Sequence, residues 1–297
     1  MTPFKHFAAA LVLVCACATK AFASPIEVRD DTGAVITLAS PARRIVSLSP
    51  AATETLFTIG AGAQVVGTSA YSDWPEAARQ VPRIGDAFML NREVVVALRP
   101  DLAIVWGSGT APQRVAELRR LGVPVYVTEA RRFADIASTV ERFGVLTGHD
   151  DEARRVAIEF RERLHALRVA YASRKPLTVF LQISATPLMT VNGRHVFSEA
   201  LSVCGATNAF ETLEAYAPQI AREAVMAADP DVIVALTSND AEAFRAWISL
   251  SHLRATRHRA YVAIAPALFS RASPTMLDGV RELCERLDAI RARLNEQ

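Results

Sequence analysis

The 297-residue sequence has little of what the common enzyme classes require. It contains no G-x-S-x-G turn to expose a nucleophilic serine, no Walker-type phosphate loop, no H-E-x-x-H and no C-x-x-C. Its glycine-rich string Gly107-Ser108-Gly109 is too short to be a dinucleotide fingerprint. His149, His165, His195, His252 and His258 are scattered, and the last two are six apart, off a single helical face. That spacing argues against a built-in metal cage. Net charge is only +2, too small for a nucleic-acid surface. Beyond the N-terminus no apolar run is long enough to cross a bilayer. Binding, rather than catalysis, is the reading these absences leave.

What is present begins with an export signal. "MTPFKHFAAALVLVCACATKAFAS" has a basic start at Lys5 and His6, an apolar run from Phe7 to Ala18, and Ala21-Phe22-Ala23 before Ser24. Residues 1–23 therefore read as a cleaved signal peptide, which places the chain in the periplasm. Lipidation at Cys17 is the alternative, and Val14-Cys15-Ala16 is a poor approach to such a site. Export leaves Cys204 and Cys284 in an oxidising compartment, where one disulfide is expected and two buried free thiols are the alternative. Closing that loop contributes about 4 kcal/mol in the chain-entropy model.

The chain beyond the signal suits two lobes. "EVRDDTGAVITL" reads as a hairpin, and strands then alternate with helices, the signature of an α/β fold with a mostly parallel sheet. The strand in "RIVSLS" stops at Ser49-Pro50, a capping serine followed by a proline at the first helical position. That puts a helix N-terminus, with its unpaired amides, at a strand end. From Asp150 to Ala172 apolar residues recur three or four apart, which predicts one amphipathic helix about 33 Å long, stiff enough to act as a strut. "NREVVVALRPDLAIVW" and "AREAVMAADPDVIVAL" match at a constant offset, including Glu93/Glu223 and Asp101/Asp231. Duplicated lobes of this kind enclose a cleft, the usual seat of a ligand. The expected organisation is a signal peptide (1–23), an N-terminal α/β lobe (24–147), a connecting helix (148–173) and a C-terminal α/β lobe (174–297).

The strings "SLSP", "YSDWP", "VALRPDLAIVW", "VFLQIS", "CGATNAF", "PQIAREAV" and "FSRASP" occur in the order found in the helical-backbone periplasmic solute-binding family. The chain resembles that family throughout its mature length, and "SLSP", "YSDWP" and "RASP" point to its cobalamin branch. The resemblance implies two Rossmann-like lobes joined by one long helix. It implies no intrinsic cofactor, cobalamin or another corrinoid as transported ligand, an inner-membrane ABC permease as partner, and a monomer. Haem or ferric-siderophore capture on the same fold is the alternative, and a periplasmic enzyme using the cleft is a second.

Residue by residue, the resemblance assigns Tyr71 and Trp106 to the first lobe's ligand contacts, and Met189 and Arg271 to the second lobe's. Ser49 and Pro50 join them through the helix start. Where the family carries tryptophans, this chain has Ala87 beside Phe88 and Ala217 beside Tyr216; where it carries an acid before "RASP", this chain has Ala267, with Phe269 close by. Phe88, Tyr216 and Phe269 are therefore expected to complete the aromatic surface. Cys204 and Cys284 match the branch's disulfide. Glu93 and Glu223 match the acids that each lobe presents to the permease.

Overall fold

The computed structural model describes residues 24–86 and 89–296. The expected signal segment, Cys17 and Phe88 lie outside the described residues. β1 (Ile26–Arg29) and β2 (Val35–Leu38) form the expected antiparallel hairpin. At its tip the Asp30 carboxylate accepts from the backbone N–H groups of Thr32 and Ala34, and Asp31 pairs with Arg142 at 2.6 Å.

The chain then runs through β3 (Ile45–Leu48), α1 (Pro50–Thr58), β4 (Val65–Ser69), β5 (Arg83–Gly85), α2 (Arg92–Leu98), β6 (Leu102–Trp106), α3 (Pro112–Arg120) and β7 (Val125–Thr128). These strands build one parallel sheet in the order β5-β4-β3-β6-β7. All residues of β3 and β7 are buried, as expected where helices cover both faces of a parallel sheet. "YSDWPEAA" forms only a 3₁₀ turn, Glu76–Gln80.

α4 (Phe133–Thr147) and α5 (Asp150–Tyr171) follow as an antiparallel pair. α5 is the strut expected from periodicity, and α4 lies along it. Gly144 permits this approach, because a Cβ there would stand 2.4 Å from the Ala153 Cβ. Arg161 forks onto Glu141 at 2.7 and 2.9 Å across the pair. Both helices serve both cores. Phe133 and Ile136 of α4 and Phe160 and Leu164 of α5 pack into the C-terminal lobe, while Val140, Phe143, Ala153 and Val156 pack into the N-terminal one. The spine therefore has two rods, which a period count on α5 alone does not show.

The second lobe comprises β8 (Leu177–Gln182), the small hairpin β9 (Ser184–Ala185) and β10 (Leu188–Met189), α6 (Val196–Val203), β11 (Ala206–Asn208), α7 (Arg222–Ala228), β12 (Val232–Leu236), α8 (Asp240–Ile248), α9 (Arg254–Arg257), β13 (Tyr261–Ile264), α10 (Pro266–Phe269) and α11 (Met276–Asn295). Its main sheet is parallel, in the order β11-β8-β12-β13. Cys204 and Cys284 form a disulfide that ties the end of α6 to α11.

The internal echo is structural. α2 and α7 each end on a residue in the left-handed region, Arg99 (φ 44°) and Asp229 (φ 39°). In each copy the next aspartate pins the start of a neighbouring strand: Asp101 accepts from the Arg44 N–H at 2.9 Å, and Asp231 from the Thr178 N–H at 2.8 Å.

Candidate functional site

In a parallel sheet every strand ends along the same edge, and both sheets turn that edge toward the opposite lobe. Arg131, beyond the end of β7, lies 5.4 Å from the centroid of the Tyr216 ring. Residues 271–275, beyond the end of β13, bond to Glu54 on α1. The cleft therefore lies where the strand ends of the two lobes meet, the usual ligand position in such sheets.

The N-terminal wall is aromatic and open. Tyr71 after β4 is 80% exposed, Trp74 50%, Met89 after β5 73% and Trp106 at the end of β6 47%. Large apolar side chains grouped along one edge mark a binding surface. Tyr71 is held there by its neighbour. Ser72 is buried, and its hydroxyl meets those of Ser69 (3.2 Å) and Thr53 (3.3 Å), the latter also bonded to Ser47 at 2.9 Å. This hydroxyl network joins the "SLSP" and "YSDWP" strings and keeps Tyr71 at a left-handed φ of 65°, a strained backbone state for a tyrosine.

Trp106 depends on the Gly107-Ser108-Gly109 turn. A Cβ on Gly109 would stand 1.8 Å from the indole, so only glycine lets the ring settle there. Glu129 holds the turn by accepting from the Ser108 N–H (2.6 Å) and hydroxyl (3.1 Å). "GSG" is thus a tryptophan seat.

Ser49 and Pro50 lie beneath this wall. Ser49 is buried, and its hydroxyl accepts from the Ala52 N–H at 3.2 Å. Its carbonyl takes the Thr53 N–H at 2.9 Å, and proline has no N–H. Only the Ala51 amide is left for a solute, so the helix start supports the wall more than it binds.

The C-terminal wall is half-buried and polar. Met189 and Tyr216 lie on adjoining segments, because Met189 bridges to Gln219 and the Asn192 N–H bonds the Tyr216 carbonyl at 3.0 Å. The Tyr216 ring stacks on His195 at 4.5 Å, and His195 lies 4.3 Å from Phe197. Burial is the main cause that raises the Tyr216 phenol to about 12, with the Glu129 carboxylate adding to it and Arg131 opposing it. Burial lowers the His195 imidazole to about 4, and its Nδ1 accepts from the Phe197 N–H at 3.1 Å to start α6.

One expectation is corrected. Phe269 is 1% exposed: at the end of one-turn α10 it points into the core, 5.0 Å from Phe197 and among Met276, Leu277 and Val280. It is a packing residue. Arg271, expected as a polar contact, has its Nε 2.5 Å from Glu54 Oε2, which leaves its Nη groups for a solute. Glu54 itself escaped the sequence reading. Its one signal is the polar string Thr53-Glu54-Thr55 inside a helix that buries all three residues.

Glu93 and Glu223 are exposed in the first turns of α2 and α7, equivalent places in the two copies. A groove of about 860 Å³ runs between the start of α4 and α6; it adjoins the cleft at Arg131 and His195, and Arg132, Arg168, Arg194 and Glu199 also line it. Its guanidinium-rich lining does not suit an apolar disc, and the exposed aromatics lie elsewhere. Among the described residues no group of three His, Cys, Asp or Glu side chains is arranged to hold a metal, and no helix is long and apolar enough to cross a membrane.

Residues 45–267 match the family described as periplasmic binding protein. The chain belongs to that family. This periplasmic binding protein is 35% identical over 251 residues to the vitamin B12-binding protein of Vibrio cholerae serotype O1, covering 83% of this chain and 90% of that one. The crystal structure of periplasmic vitamin B12 binding protein BtuF of Vibrio cholerae superposes with a TM-score of 0.78 at 34% identity, over 84% of this chain and 98% of that one. A periplasmic heme binding protein from Pseudomonas aeruginosa superposes with a TM-score of 0.72 at 26% identity, over 82% and 91% of the two chains. Members of the family bind solutes without transforming them, so this periplasmic binding protein is a carrier and not an enzyme.

Proposed function

We propose that the protein captures a corrinoid, cobalamin above all, in the interlobe cleft and delivers it to an ABC importer of the inner membrane. The carrying observation is the open row of Tyr71, Trp74, Met89 and Trp106 along one sheet edge. A corrinoid is a rigid disc with apolar faces and an amide-bearing rim. Burying about 400 Å² of its apolar surface gives on the order of 10 kcal/mol before the costs of association. Aromatic side chains make such contact with few rotors to freeze. The names of the Vibrio relatives support the same solute.

Residues 1–23 direct export and are removed, and a monomer with lobes 24–147 and 174–297 carries the solute. Glu93 and Glu223, one on each lobe, present two acidic points to basic residues of the permease. Such exposed charges add little affinity but set register and speed encounter.

One observation favours haem as second reading: Tyr71 is 80% exposed, and a phenolate is a known haem ligand type. The deciding experiment titrates mature protein with cyanocobalamin, cobinamide, haemin and a ferric siderophore, followed by tryptophan emission. Tight binding of the corrinoids alone is expected. Binding of haemin alone, lost in Tyr71→Phe, would establish the second reading, and turnover of any bound compound would overturn both.

A further inference from the structure

Glu54 is the most enclosed acid of the cleft region. It sits on α1 with 0% of its surface exposed. Its carboxylate accepts from Arg271 Nε at 2.5 Å, from the Ser273 hydroxyl at 2.7 Å, and from the Thr275 hydroxyl. All three donors belong to residues 271–275 of the opposite lobe, on the link between α10 and α11. Among the described residues, no side chain of Glu54's own lobe donates to that carboxylate. A buried carboxylate is tolerated only while it is paired and hydrogen-bonded, and removing its partners leaves an uncompensated charge. The lobes therefore cannot separate at this seam without hydrating Glu54 or stranding it.

The same bonds orient Arg271. Its guanidinium is a planar fork, so fixing Nε fixes the direction in which both Nη groups point. Its side chain keeps 19% exposure, so part of the fork reaches solvent beside the seam. From this geometry we infer that Glu54 is a positioning residue for solute capture: it clasps residues 271–275 across the lobes and aims Arg271, so the cleft is formed before the solute arrives. The inference rests on the solute-binding reading for its effect on affinity, but not for its effect on the lobes. The other seam is independent of it. There the Phe133 N–H donates to Glu199 at 2.8 Å and Arg168 pairs with Glu199 at 2.7 Å, so loss of the clasp frees one side of the cleft and leaves the spine side joined.

The test uses Glu54→Gln, which keeps shape and removes charge, and Ser273→Ala, which removes one donor and keeps the ion pair. Arg120→Cys and Arg245→Cys, exposed on opposite lobes, carry spin labels for an interlobe distance distribution in solute-free protein. Glu54→Gln is expected to broaden that distribution and to weaken cyanocobalamin binding about tenfold through faster dissociation, the scale of one charged hydrogen bond. Ser273→Ala should do both to a smaller degree. A purely structural Glu54 would lower Tm while leaving distance and affinity unchanged in both variants, and that result overturns the inference. If Glu54→Gln does not fold, Ser273→Ala decides by the same two readouts. If wild-type protein ignores every corrinoid, the functional reading falls, and the distance distribution still decides the clasp.

Discussion

The N-terminal lobe leaves Tyr71, Trp74, Met89 and Trp106 open to solvent, whereas the C-terminal lobe turns Phe180, Phe197, Trp247 and Phe269 inward. The lobes share a strand–helix plan down to the left-handed residues that end α2 and α7. They differ in how far their large aromatic side chains are exposed. In the second lobe Phe180 meets Phe210 and Trp247 edge-on at 5.7 and 5.5 Å, the Trp247 N–H donates to Gln182 at 2.8 Å, and a disulfide ties α6 to α11. Its aromatic residues hold the lobe together. The first lobe buries one aromatic pair as well, Tyr126 against Phe143 at 5.5 Å, but Tyr71, Trp74 and Trp106 stay open to solvent above the hydroxyl network. One fold, used twice, thus presents one wall of open aromatic side chains and one that is half-buried and polar.

Substitutions that should act on one wall alone test this division. The largest expected effect is on stability. Replacing Cys204 and Cys284 with serine should cost about 4 kcal/mol, read as a lower denaturant midpoint, with solute affinity of the folded protein kept. Next comes a matched pair. Phe269→Ala should cost about 3 kcal/mol of stability with little change in Kd, and Trp106→Ala should weaken cyanocobalamin binding roughly 30-fold with little change in Tm. Reversed outcomes would exchange the roles assigned to the two walls.

A third test uses pH. His195 titrates near 4 when folded, against an ordinary value of 6.5, so the unfolded chain takes up its proton first. Its contribution is complete above pH 6.5 and is lost as pH falls from 6.5 to about 4. Over that window wild type should lose about 2.5 kcal/mol relative to His195→Asn, which keeps a capping side chain without the titration. Parallel stability curves for the two proteins would contradict this. Gly109→Ala should then weaken solute binding about fivefold by unseating the Trp106 ring, with Tm changed little. The smallest effect on solute is expected from Glu93→Ala with Glu223→Ala. Affinity for solute should stay the same while binding to the detergent-solubilised permease weakens, and loss of solute affinity would move both acids into the cleft.

Much of the architecture was legible because it is written in near neighbours. The cap and proline at Ser49-Pro50, the spacing along α5 and the paired strings around Glu93 and Glu223 are set by backbone sterics and contacts within a few residues. The cysteine pair needed only the chain's destination. The placement of the candidate site residues was legible in part. Tyr71 and Trp106 stand at strand ends, as expected, while Phe269, a residue of similar type near a similar strand end, lies in the core. Side-chain type does not say which way a one-turn helix rolls.

The sequence by itself determined the order of elements, the duplicated lobes, the stiff connector and the absence of familiar catalytic motifs. Only the tertiary structure decided that α4 shares both cores, that Ser49 and Ser72 belong to one buried network, and that Glu54 meets Arg271 from 217 positions away. The physical reason is range. Helix, strand and turn follow from interactions along the chain, whereas a buried charge finds its partner only after two separately folded surfaces have come together.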